Sequence, residues 1–127
     1  MIEEAYCSNE VARLLKEKGF DEPCVRFSYQ LKDRVKYGMD KDCPTNTDLK
    51  PIYTSVWSVP TYQMAMAWLR EVHYLWIDIE PLTNHKWTWG IWFMNDPKLK
   101  MGESSQVIST YEEAVEASLT FVLENLI

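Results

Sequence analysis

The stretch Pro60–Phe93, PTYQMAMAWLREVHYLWIDIEPLTNHKWTWGIWF, constrains the fold more than any other part of the chain. It holds five of the six tryptophans, and its hydrophobic period changes partway along. Met64, Ala65, Trp68, Leu69 and Val72 recur at helical spacing. Leu75, Ile77 and Ile79, then Trp87, Trp89, Ile91 and Phe93, alternate with period two. The pattern predicts a helix that opens at Thr61 and ends near His73. Strands near Leu75–Glu80 and Lys86–Met94 follow it. Gly90 is read as a possible bulge, which would turn Trp92 onto the face of Trp89.

The flanks supply the remaining elements. Ser8 is a suitable N-cap and Gly19 a suitable C-terminal stop, so Ser8–Lys18 is expected to be helical, with Val11, Leu14 and Leu15 inward. Turns upstream, with Ile2 and Tyr6 on the same side, would extend it. Val25, Phe27 and Tyr29 alternate with polar residues and predict a half-buried strand. Lys32–Lys50 is polar and irregular and reads as a long loop. Ile52–Trp57 is expected to return as the partner of the first strand, and Ser104–Ser109 to form a last short one. Thr110 and Glu113 make a capping box for a final helix whose apolar face is Ala114, Val115, Ser118, Leu119, Val122 and Leu126.

These elements define an α+β fold: one domain over residues 1–127, with a mainly antiparallel sheet and helices on one face, in the order α-β-β-α-β-β-β-α. The expected core is Val25, Phe27, Trp68, Leu69, Ile77, Ile79, Trp89, Leu119 and Val122. With 127 residues, the chain can bury roughly two-thirds of its unfolded surface and needs no disulfide staple.

The net charge of −6 argues against nonspecific binding to nucleic acid or anionic lipid, where lysines and arginines must displace counterions. Residues 60–127 do share the α-β-β-β-α order of a double-stranded-RNA-binding domain. That module needs cations at the start of its last helix. Here Thr110–Ile127 contains no lysine or arginine. Three widely spaced cysteines form no metal or redox motif and are expected to be reduced thiols. The opening MIEEAYCSNE lacks the apolar run of a signal peptide, and no segment is apolar enough to span a bilayer, so a soluble cytoplasmic protein is expected.

Trp87, Trp89 and Trp92 could stack a sugar, a base or a proline, although a core role for two of them is the simpler expectation. Trp76 and Trp92 are the exposed aromatic candidates: facing outward on neighbouring strands, they would form a patch for a partner or a second copy. Asp78 and Glu80 share a strand face and, with His85 nearby, are the residues to weigh for a divalent ion. Cys24 and Cys43 could act as nucleophiles, but no neighbouring base is predicted. In the expected loop, Lys32, Arg34, Lys36 and Lys41 alternate with acids and read as a solvated segment. No phosphate loop, nucleophile elbow or zinc helix occurs. No cofactor and no catalytic residue is expected.

Three segments, EAYCSNEVARLLKEKGFDEPC (Glu4–Cys24), PTYQMAMAWLREVH (Pro60–His73) and STYEEAVEASLTFVLENLI (Ser109–Ile127), resemble a family of small uncharacterised proteins from Bacteroides-type gut bacteria, their prophages and phages. The resemblance covers a little under half of the chain and carries no site residues. It implies a bacterial cytoplasmic setting and a mobile-element origin. The expectation is a non-enzymatic interaction protein that binds a protein partner or self-associates. The alternatives are a nucleic-acid-associated regulator and a small-ligand or metal-dependent enzyme.

Overall fold

The computed structural model describes residues 3–49 and 55–127. It is an α+β structure in which, among the described residues, every strand pairing is antiparallel, and it divides into two compact units, Met1–Thr61 and Tyr62–Ile127. Each unit contains its own three-stranded sheet, in place of the single sheet expected from the sequence. The expected order of elements is present, with one strand and a one-turn helix added within the segment that read as a loop.

The first unit begins with helix α1 (Asn9–Glu17), where the Ser8 hydroxyl accepts from the Val11 N–H at 3.2 Å. Gly19, at φ 94, ends it in the left-handed conformation that glycine adopts without penalty. Strand β1 (Arg26–Gln30) lies between β2 (Val35–Met39) and β3 (Val56–Ser58). Strand β3 is thus the expected partner of β1, although Ile52 lies outside the described residues, as does Ile2.

Of the segment Lys32–Lys50 expected to be a loop, the described residues 32–49 are more ordered than their composition suggested. Strand β2 pairs with β1 along five residues, and α2 (Asn46–Leu49) makes one helical turn. Phe27 lies over Gly38, where a Cβ would meet the ring carbon Cζ at 2.5 Å. Asn46 is buried, donating to the Phe20 carbonyl at 2.7 Å and accepting from the Ser58 N–H at 2.8 Å. Both ends of its amide are satisfied, as burial requires.

The burial of β1 corrects the expected core. Ser28 is the fully buried residue, whereas Val25 and Phe27 are partly exposed. The Ser28 hydroxyl donates to Asn9 Oδ1 at 2.8 Å, and that oxygen also accepts from the Trp57 indole at 3.1 Å. One α1 side chain thereby ties the helix to β1 and β3.

The second unit runs α3 (Tyr62–His73), β4 (Leu75–Leu82), a 3-10 turn (Thr83–His85), β5 (Lys86–Phe93), β6 (Asp96–Glu103) and α4 (Tyr111–Asn125). Its sheet order is β4-β5-β6, so the α-β-β-β-α order expected for residues 60–127 is present. Strand β6 comes earlier than the Ser104–Ser109 strand expected from the sequence. Pairing with β5 continues beyond β6, from Ser104 to Trp89 and through the Trp87–Ile108 bridge.

Trp68, Leu69, Ile77, Trp89, Leu119 and Val122 are buried as expected, and Ile79 is partly exposed. Val72 is half exposed, and Tyr62 is buried at the other end of α3. In α4 the buried stripe includes Leu123, whereas Leu126 is partly exposed beyond the last turn. Phe121 docks α4 on the sheet: its ring lies 5.3 Å from that of Trp89 and over Gly102, leaving no room for a Cβ there.

Candidate functional site

Strands β4 and β5 pair in unbroken register from Leu75–Phe93 to Leu82–Lys86. Because side chains alternate across a sheet, that register sorts the residues into two faces. Leu75, Ile77, Trp89 and Ile91 are buried on the face where Phe121 of α4 packs. Trp76, Asp78 and Glu80 point the other way, opposite Trp92, Gly90 and Thr88 respectively. Trp76 and Trp92 are therefore direct cross-strand partners.

Gly90 carries no bulge in its pairing with β4, which corrects the alternative that put Trp92 beside Trp89. The register shifts lie between β5 and β6, on either side of Trp92. Gly90 instead leaves space for Lys100: a Cβ at Gly90 would meet Lys100 Cε at 3.4 Å and the Trp92 indole nitrogen at 3.5 Å. Lys100 continues over the Trp92 ring, with Nζ 5.2 Å from its centroid, and pairs with Glu103 at 2.7 Å. Arg70, in the last turn of α3, lies 5.3 Å from the centroid of Trp76. Each tryptophan thus has a cation against its ring, a contact worth about 0.5–1 kcal/mol at an exposed site.

Trp76 remains 45% exposed and Trp92 partly so. Beside them is a shallow depression of about 340 Å³ lined by Trp76, Trp92, Phe93, Met94 and Pro97. Tyr74, Met94 and Leu99 are also exposed apolar side chains in this part of the chain. Tyr74 adopts φ 57, unusual for an aromatic residue, where α3 turns into β4; its carbonyl accepts from Met94 at 2.8 Å.

Asp78 and Glu80 stand two residues apart on the outer face. The pKa of Glu80 is raised above the ordinary carboxylate value, first by its hydrogen bond with Asp78 and then by that residue's negative charge. His85 is in the turn at the far end of β4, and among the described residues no three His, Cys, Asp or Glu side chains converge to hold a metal ion. The structure therefore joins two of the three residues weighed for a metal and leaves the third apart.

The other sequence candidates are dispersed. Trp89 is core, and Trp87 packs edge-on against Tyr111 at 5.3 Å, so neither joins Trp92 in a stacking platform. Cys24 is buried, and burial pushes its thiol up to about 11, a poor setting for a nucleophile. Cys43 is partly exposed in a turn at φ 51. Sequence reasoning missed Arg70, Lys100 and Pro97. Arg70 sits six residues before Trp76, and its approach depends on the turn at Tyr74. Lys100 reaches Trp92 only because the β6 register is shifted.

Comparison with protein-family models, with curated proteins and with solved structures finds no match. Among the described residues no helix is long and apolar enough to cross a membrane.

Proposed function

We propose that this chain is a non-enzymatic interaction module that binds a protein partner through the outer face of the β4-β5-β6 sheet. The observation that carries this reading is the Trp76–Trp92 cross-strand pair, accessible to solvent beside a depression lined by apolar side chains. Tryptophan is the residue type most enriched at interface hot spots, because it offers a large contact area with few rotatable bonds. The cations against both rings fix that area before a partner arrives, which lowers the ordering cost of association. The proposed setting is the cytoplasm of a Bacteroides-type bacterium or its phage, on the strength of the three resembling segments.

Site-specific photocrosslinking tests the reading. A benzophenone amino acid at Met94, which lines the depression, or at Tyr74, whose carbonyl accepts from the Met94 N–H, is irradiated in nuclease-treated lysate of such a host; the same probe at Glu112 on α4 is the control. The expected result is a discrete protein adduct from the patch positions that is absent from Glu112. It should also disappear when Trp76 and Trp92 are both changed to alanine. Adducts that are indifferent to the tryptophans, or that vanish on nuclease treatment, would remove the basis for the proposal.

A further inference from the structure

We infer that the partner enters this face as a short segment that presents an apolar side chain to the Trp76–Trp92–Pro97 depression and a lysine or arginine to Asp78 and Glu80. The inference rests on the interaction reading above and specifies the chemistry of the partner.

Size is the first argument. From Trp76 to Glu80 the two subsites extend four residues along β4, roughly 14 Å. A peptide of a few residues, anchored at one point, matches the dimensions.

Charge is the second. Asp78 and Glu80 present two adjacent carboxylates, and among the described residues neither forms an ion pair. Lys100, which acts electrostatically on Glu80, is bonded to Glu103 instead. An incoming cation relieves the repulsion between the two acids, and the net charge of −6 draws basic partners toward the surface. The tryptophan rings already carry Arg70 and Lys100. The partner's cation is therefore directed to the carboxylates, and its apolar group to the depression.

Spacing joins the two subsites. Trp76 and Asp78 are two residues apart on one strand, about 7 Å. An extended segment spans that distance in two residues and a helical one in three or four, since side chains at i and i+4 are neighbours. The recognised segment therefore carries its basic residue two to four positions from its apolar anchor.

Panning a random dodecapeptide phage library on the full chain, with depletion on the Trp76→Ala/Trp92→Ala double variant, tests this. The expected consensus pairs Leu, Ile, Phe or Trp with Lys or Arg at that spacing. A synthetic peptide from the selection should bind about fivefold more weakly to the Asp78→Asn/Glu80→Gln variant, or to the unaltered protein when its own basic residue is replaced by glutamine. The second arm requires no protein variant to fold. Enrichment of peptides without a basic residue, affinities indifferent to either change, or no enrichment at all would overturn the inference. If panning fails while crosslinking from Tyr74 still captures a partner through the tryptophans, the inference falls and the interaction reading stands. If both fail, both fall.

Discussion

Trp76 and Trp92 face each other across β4 and β5 on one side of the sheet, while Trp89, three residues before Trp92, is buried on the other. The two environments predict different energetic costs. Trp68 and Trp89 are each 7% exposed, and replacing either with alanine should cost about 3–5 kcal/mol, through lost burial and the cavity left behind. Trp76→Ala gives up one cross-strand neighbour and one cation contact on a solvated face, so the expected loss is about 1–2 kcal/mol. Urea denaturation midpoints of the three variants measure the contrast. Equal losses would mean that the outer pair is a structural element and not a surface kept for a partner.

The cysteines provide a check on the first unit. Cys7 and Cys24 are buried, and the Cys24 thiol is pushed up to about 11, whereas Cys43 is accessible. A native titration with a disulfide reagent at pH 8 should therefore show Cys43 reacting quickly and the other two only after denaturation. Mass mapping of the labelled peptides identifies the residue. Rapid labelling of Cys24 would contradict its burial beside Ser58.

The elements legible in the sequence are those set by local chemistry. Ser8, Gly19 and Thr110 bound their helices because a cap depends on a few neighbouring residues. The shared face of Asp78 and Glu80, and the outward pairing of Trp76 with Trp92, follow from period two and one hairpin. What escaped depends on distant residues. Strand β2, VKYGM, sits among charges and reads as a loop, and it is held by pairing with β1 and by the fit of Phe27 over Gly38. Nothing about Ser28 marks it as buried, because its partner is Asn9 on another element. The helical stripe through Val72 extends past the part of α3 that is covered. The cations of the candidate site were invisible for the same reason: Lys100 reaches Trp92 through a register shift that its own sequence does not announce.

Tyr74 and His85 occupy the left-handed region, at φ 57 each. For a non-glycine residue that conformation costs about 1–2 kcal/mol. His85→Gly should therefore raise stability by about 1 kcal/mol, and because His85 lies apart from Asp78 and Glu80 it should leave peptide binding unchanged. Tyr74→Gly should be neutral to stabilising, but it removes an exposed aromatic beside the patch and should weaken binding. Thermal midpoints read alongside peptide affinities separate the two effects. Destabilisation by both glycines would show that these turns are not strained in solution.

Asp21 supplies a pH dependence whose sign can be worked out. Its carboxylate accepts from the Thr47 N–H at 2.6 Å and from the Thr47 hydroxyl, which joins the end of α1 to α2. Those bonds, led by the hydroxyl, hold its pKa below the ordinary 3.8. A carboxylate lowered on folding contributes stability that is fully present above its unfolded value and lost as pH falls through its folded one. Because the group is largely exposed, screening limits the contribution to about 1 kcal/mol. Asp21→Ala should therefore be less stable than the unaltered chain by about that amount at pH 7, and the gap should close below pH 3.8 as the wild-type carboxylate is protonated. Chemical denaturation of both proteins across that range makes the comparison. A gap that persists unchanged at the acid end would assign the effect to packing of the side chain, and the charged link between α1 and α2 would have to be abandoned.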